Sequence, residues 1–542
     1  MCGWNPQMFK KVKAGDLQGW VREDVLPLLP STFFEDPVSY SREMGGEVIK
    51  ESRWRWASIF ALPGGQRIFL KRDRTKDWIE FVKYLLLPTK ARKEWFVAYQ
   101  AQKRNLDVPK PLGWMERGHR GLVAESYYLS EAVGSGVSLI DAVRSGARFP
   151  FEELVKALGR IHRAGLFHKD LHGGNFLWDG QSLFLTDLHR AQFLKNVSLK
   201  RRLWNLSHLF HSLRSTWKEK DQVLFVDHYF EGERISLQEK GVVLQQIRSG
   251  MDRLEKRQWK SRTKRCLKES TEFTVQKGKG VRTYHRRDYP LERLQRVVEK
   301  HLKFVKEDSS ELVKHSPKIK VSILRENGQS LCVKQFSNLT FWDEMKDWFR
   351  TSKGLKAWVG GNGLRARGMP SLKPLALVEK RGWLGLRESF FLMEVSEKGK
   401  ELDRYIFEGL KPFRKRRHFI QAFAQWLSHF HQRGLYHRDM KTCNLLITET
   451  GVTWAFHLLD LEDLLLDRKV GEKKLLRNFL QLNTSIPKAI SRTDRLRFLK
   501  GYAARRPTIR NEKGFIKELI QKSRERGIVY VSPRGVVEEN WV

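Results

Sequence analysis

Two stretches of alternating apolar and polar residues each end on a lysine. In the first, Trp54, Trp56, Ser58 and Phe60 alternate with other residues. Pro63-Gly64-Gly65 then marks a turn, and Arg67-Ile68-Phe69-Leu70-Lys71 reads as a returning strand. In the second, Val321-Ser322-Ile323-Leu324 and Ser330-Leu331-Cys332-Val333-Lys334 flank Asn327-Gly328, a strong two-residue hairpin signal. An earlier hairpin, Glu272-Phe273-Thr274-Val275 with Val281-Arg282-Thr283-Tyr284, turns at Gly278-Lys279-Gly280. After each lysine strand the period becomes helical. Ala91 to Asn105 puts Trp95, Ala98, Tyr99 and Gln102 on one face, and Leu355 to Ala366 is its counterpart. Strand-like Leu122 to Leu129 and Phe390 to Glu394 follow. Amphipathic helices come next, at Phe151 to Ala164 and at Phe419 to Phe430. Asp494 to Tyr502 closes the second pattern, and the last forty residues read as basic and helical. Residues 1 to about 35 show little periodicity and three prolines (Pro27, Pro30, Pro37 just beyond), so they predict a loosely packed leader.

The two patterns are one repeat. Ile161-His162-Arg163-Ala164-Gly165-Leu166-Phe167-His168 aligns without gaps to Phe430-His431-Gln432-Arg433-Gly434-Leu435-Tyr436-His437. His168-Lys169-Asp170 with Asn175 and His437-Arg438-Asp439 with Asn444 follow, Asp170 and Asp439 lying 269 residues apart. Each block is followed by an apolar-flanked aspartate, Asp187 and Asp460. A repeat this long is a duplicated domain. The spacing suits phosphoryl transfer: one Asp takes the proton of an attacking hydroxyl, while the Asn and the later Asp hold Mg²⁺ on the phosphates. The candidate bases are therefore Asp170 and Asp439, and the candidate metal ligands Asn175, Asp187, Asn444 and Asp460. Lys71 and Lys334 would grip the phosphates. Glu94 is the expected ion-pair partner of Lys71. In the second unit Lys356, Ala357 and Trp358 stand where that glutamate would be matched, and Glu344, ten residues past Lys334, is too close. The first unit is thus the expected active one, and the second a candidate degenerate module.

A chain of 542 residues is too long for a single core. The fold class predicted is α+β, two tandem protein-kinase-like bilobal domains. The expected limits are a leader over 1–40, a first domain over 41–245 and a second over 246–542, with a basic linker or N-terminal extension over about 246–310. Lys and Arg number 102 against 62 Asp and Glu, a formal charge of +40, which exceeds what solubility needs and points to a polyanionic partner. The four cysteines, Cys2, Cys266, Cys332 and Cys443, show no metal spacing and read as isolated thiols of a reducing compartment. No apolar run of about 18 residues occurs, so no transmembrane helix is expected. The predicted location is the cytoplasm, with peripheral contact on the inner face of the membrane.

Departures from protein kinases narrow the picture. No G-x-G-x-x-G precedes either lysine, neither Asp187 nor Asp460 is followed by Phe-Gly, and no Ala-Pro-Glu occurs. Both halves instead resemble the bacterial lipopolysaccharide core kinases (Kdo and heptose kinases). The resemblance rests on Leu364 to Pro370, Pro374 to Leu377, the blocks at Asp170 and Asp439, Asp187-Leu188-His189-Arg190-Ala191 and Leu459-Asp460-Leu461-Glu462. It implies ATP, Mg²⁺ and a hydroxyl of a lipopolysaccharide inner-core sugar, an anionic glycolipid at an anionic membrane surface. Nucleic acid is not expected, since no nucleic-acid motif is present. Two alternatives stay open: a Ser/Thr protein kinase, favoured by Lys441, and a tandem pseudokinase scaffold, favoured by the missing partner of Lys334.

Overall fold

The computed structural model describes residues 8–539 apart from 120, 135–136, 147–150, 234, 339, 341–350, 384, 411, 487–489, 507–508, 510 and 533–534. Cys2 and Glu344 lie outside the described residues. The chain divides into two compact units, Met1–Glu255 and Lys256–Val542. Each unit has one seven-stranded antiparallel sheet and a mostly helical second lobe. The first sheet runs Phe9–Ala14, Leu17–Arg22, Pro111–His119, Leu122–Glu131, Arg67–Arg74, Arg55–Ala61, Glu47–Glu51. The second runs Phe273–Gly278, Val281–Arg286, Pro374–Arg381, Leu386–Glu394, Gln329–Ser337, Ile319–Glu326, Leu312–His315. The strand order is the same in both. Lys71 and Lys334 occupy equivalent central strands, opposite Tyr128 and Phe391 respectively.

Three expectations from the sequence are corrected. The supposed leader forms two strands of the first sheet, and Phe9, Leu17 and Val21 are buried. Its signal was weak because Lys10, Lys11 and Lys13 surround a single apolar row. Of the two readings of 246–310, the linker is corrected and the N-terminal extension agrees with the structure. The stretch holds the end of the helix Leu237–Arg265, the first hairpin of the second sheet and the helix Leu291–Glu307. That helix buries Leu294, Val297 and Val298 against Leu324, Leu331 and Val333 of the sheet. Finally, the helix at the end of the chain stops at Arg526, where Gly527 adopts φ 71°, and Ile528–Ser532 pairs antiparallel with Gly535–Glu539.

The helical lobes are built on amphipathic periodicity. In Phe413–Gln432, Phe419, Ile420, Phe423, Leu427 and Phe430 recur at helical spacing and are buried. Full burial of such side chains contributes about 1.5–3 kcal/mol each, before the entropy of ordering them. Cys266 and Cys332 are buried free thiols, each pushed up to about 12 by burial and so protonated. Among the described residues no helix is long and apolar enough to cross a membrane.

The helix Lys353–Ala366 carries Gly360, Gly361 and Gly363, an unusual load for a helix interior. Close approach of the loop after Leu458 and of Pro374 requires them. A β-carbon on Gly360 would lie 2.7 Å from the carbonyl oxygen of Leu461, and one on Gly361 2.6 Å from Pro374 Cγ. Alanine improves helix propensity by about 1 kcal/mol over glycine, but a backbone clash of this kind costs about 1–3 kcal/mol. Gly360→Ala is therefore expected to lower the unfolding temperature. Gly241→Ala is the control: this glycine is exposed in the helix Leu237–Arg265 and nothing lies within 4 Å of its added β-carbon. It should raise or preserve the unfolding temperature, and calorimetry of the two variants checks both signs.

Candidate active site

In the first unit a cavity of about 500 Å³ is lined by Lys71, Glu94, Asp170, Asn175 and Asp187, with Glu131, Ala132 and Val133 at the end of the strand Leu122–Glu131. Lys71 is 6% exposed. Its ammonium donates to Glu94 Oε2 at 2.9 Å and to Asp187 Oδ1 at 2.5 Å. Glu94 is delivered by the helix Lys90–Gln102, whose N-cap Thr89 accepts from Arg92 N–H and donates to Glu116 at 2.6 Å. Burial alone would strip the proton from Lys71, but Glu94 and Asp187 outweigh it and raise its affinity for the proton. Burial pushes Glu94 up against the pull of Lys71, whereas His189 and Lys71 overcome burial at Asp187 and hold it ionised. Asp187 has φ 57° and ψ 41°, the left-handed region that Asp and Asn tolerate best among side-chain-bearing residues.

Asp170 lies half-exposed at the same cavity. Its Oδ1 is 3.5 Å from His208 Nδ1, and its Oδ2 accepts from Arg190 at 2.5 Å. His208 first, and then Arg190 against the opposing effect of burial, hold the carboxyl down at about 2. Asn175 Nδ2 donates to the Asp170 carbonyl at 2.8 Å, which leaves its amide oxygen available.

The second unit brings its own set together differently. Lys334 is 8% exposed and donates to Asp460 Oδ1 at 2.8 Å and to Glu462 Oε1 at 2.5 Å. The expectation that this lysine lacks a second carboxylate is corrected: Glu462 supplies it from the loop, not from the helix. Ala357 stands in the helix where Glu94 stands in the first unit, fixed by the N-caps Thr89 and Ser352, which bond Glu116 and Glu379 in the same way. Asp460 is held ionised because Lys334 outweighs burial, while burial raises Glu462. Asn444 Nδ2 donates to the Asp439 carbonyl at 2.8 Å, and Lys441 Nζ is 3.2 Å from Asp439 Oδ2.

Both catalytic loops hang on the same buried network. His162 bonds Tyr229 and Asn205, and Asn205 donates to the His168 carbonyl. His431 bonds Tyr502 at 2.9 Å and Asn478 at 3.2 Å, and Asn478 donates to the His437 carbonyl at 2.8 Å. His168 and His437 in turn reach the backbone carbonyls of Asp187 and Asp460, at 3.2 and 2.8 Å.

The family described as lipopolysaccharide kinase (Kdo/WaaP) matches residues 45–229 and 361–502, more than half of the chain and part of both units. The chain belongs to the lipopolysaccharide kinase family. It is accordingly a phosphotransferase with tandem kinase-like units. Its relatives include the lipopolysaccharide core heptose(I) kinase WaaP of Escherichia coli K12, 27% identical over 36% of this chain and 82% of that protein. A 3-deoxy-D-manno-octulosonic acid kinase of Stenotrophomonas maltophilia R551-3 is 32% identical over 28% of this chain and 55% of its own length. The chain therefore spans about half the length of the octulosonic acid kinases it matches. A solved structure of WaaP in complex with acyl carrier protein is 19% identical, covering 41% of this chain and 91% of that one, with a TM-score of 0.31.

In this lipopolysaccharide kinase family member, two donor sets compete for the role of a metal site. Glu94, Asp187 and His189 offer one atom each within 4.8 Å of one another. The two sets share Asp187; what separates them is that Lys71 also holds Glu94, and that imidazole suits transition metals better than Mg²⁺. Asp187 and Asn175 face the cavity with oxygen donors, the type Mg²⁺ prefers, and they fit it. Sequence reasoning did not find Glu462, His208 or Arg190 as site residues. Only Glu462 left a usable signal, a carboxylate two residues after Asp460. Cys443, beside Asn444, is pushed up to about 11 by burial and stays a thiol.

The histidine network makes the fold acid-sensitive. Burial pushes His162 and His168 down to about 4 and His431 to about 3. Unfolded, each titrates near 6.5. Below that pH the unfolded chain takes up protons that the folded chain refuses. The stabilisation is full above about pH 6.5 and is lost as pH falls toward 4, roughly 2 kcal/mol per histidine at pH 5. Thermal unfolding between pH 7.5 and 5 should show a falling midpoint, and His431→Gln, already destabilised at pH 7.5, should show a smaller fall.

Proposed function

We propose that the first unit transfers the γ-phosphoryl group of ATP to a sugar hydroxyl of a lipopolysaccharide inner core. The observation that carries this reading is the cavity in which Lys71, locked by Glu94 and Asp187, faces Asp170 and Asn175. Bound nucleotide with Mg²⁺ would supply the phosphoryl group and the neutralising charge. Lys71 would bind the phosphates, Glu94 would hold Lys71 in place, and Asp187 with Asn175 would hold the metal. Lys334, Asn444 and Asp460 are assigned the same parts in the second unit, with Asp439 as its base. Asp170 at about 2 is a weak base for a hydroxyl. Its role is to accept the hydroxyl's hydrogen bond, aim the oxygen and take the proton late, which a loose phosphoryl-transfer transition state permits.

The charge distribution supports an anionic acceptor. In the second unit a cavity of about 540 Å³ beside the catalytic loop is lined by Arg438, Lys473, Lys474 and Arg477. In the first unit Lys169, Lys200 and Arg201 hold the positions matching Arg438, Lys473 and Lys474, and Trp204 the one matching Arg477. With a net charge of +40, such basic faces suit phosphate- and carboxylate-bearing sugars and peripheral contact with an anionic membrane surface.

The test is ³²P transfer from ATP·Mg²⁺ to rough lipopolysaccharide and to a generic protein substrate. Asp170→Asn is expected to lower transfer to glycolipid by about 10²-fold or more, with Asp439→Asn retaining most of it. Loss with Asp439→Asn alone would reverse the assignment of units, and label on protein alone would make the chain a protein kinase.

A further inference from the structure

We infer that Glu462 is the positioning residue of a second nucleotide site, doing from the loop what Glu94 does from the helix. The inference rests on reading both units as phosphate-binding kinase folds. Two positions around the lysine correspond between the units. One lies on the helix, Glu94 or Ala357; the other lies two residues after the aspartate, His189 or Glu462. The first unit puts its carboxylate on the helix, and His189 sits 2.9 Å from Asp187 and 3.8 Å from Glu94. The second unit puts its carboxylate on the loop. Each lysine therefore keeps two carboxylates, and the exchange is complete rather than a loss.

The packing shows that the exchange is built in. Glu462 is about as buried as Lys334, with side chains 10% exposed in both. Its Oε1 takes the ammonium, and its buried Oε2 has no hydrogen-bond partner among the described residues. A carboxylate placed there only to fill space would leave two charged groups buried at a cost of several kcal/mol. The glycines of the helix Lys353–Ala366 bring Leu461 against the helix backbone, which is where the loop must run for Glu462 to reach Lys334.

Binding of a fluorescent ATP analogue with Mg²⁺ to the full chain tests this, in a Lys71→Ala background that silences the first site. The second unit should bind the analogue. Glu462→Gln should weaken that binding by about 10- to 100-fold, and adding Ala357→Glu should recover most of it. A purely structural glutamate would not be rescued from the helix. Glu462→Asp, shorter by one methylene, should fall between. Unchanged binding in Glu462→Gln, or no binding in the Lys71→Ala parent, overturns the inference. Transfer to glycolipid with Lys71 intact is read in parallel through Asp170→Asn, so failure of the first-unit reading shows separately.

Discussion

A buried ammonium cannot stand alone. Lys71 and Lys334 lie at the centre of their sheets, and an isolated charge there would neutralise or unfold the strand. Each is held charged by two carboxylates, one of which is the aspartate proposed to hold the metal. In the first unit the sheet, the adjoining helix and the loop carrying Asp187 are thereby tied to one point, and in the second the sheet and the loop carrying Asp460. The position of that point relative to Asp170 or Asp439 is what a phosphoryl-transfer site must control to within a few tenths of an ångström.

The two units satisfy the same electrostatic demand by different routes. In the first, the counter-charge arrives on the helix Lys90–Gln102 and the loop supplies an imidazole. In the second, the loop supplies the carboxylate and the helix has Ala357 at the matching position. Around the bases the divergence is wider. Arg190 and His208 surround Asp170, whereas Asp463 and Gln481 hold the corresponding sequence positions near Asp439. The two candidate bases therefore sit in different electrostatic surroundings.

Much of this was legible in the residues. The strand lysines, the H-x-D blocks, the later aspartates and the Glu94 helix follow from periodicity and spacing, because each lies within a local pattern. What escaped was either faint or non-local. The hairpin over Phe9–Arg22 hides behind lysines, with few apolar residues to mark it. The helix Leu291–Glu307 is strongly amphipathic but sits in a stretch whose charge density reads as linker. Glu462 is visible as a carboxylate two residues after Asp460, but its pairing with Lys334 across 128 residues is not, because it replaces a group that the repeat led one to seek on a helix.

The network of His162, Asn205 and Tyr229, with its twin of His431, Asn478 and Tyr502, grips the catalytic loop through a main-chain carbonyl. None of its members lines the first-unit cavity beside Asp170. Shape and chemistry are therefore separable inheritances in this duplication. The form of the loop is held by buried side chains outside that cavity, so a well-formed loop does not by itself mark an active copy. Selection on catalysis has to be read from the charged groups around it.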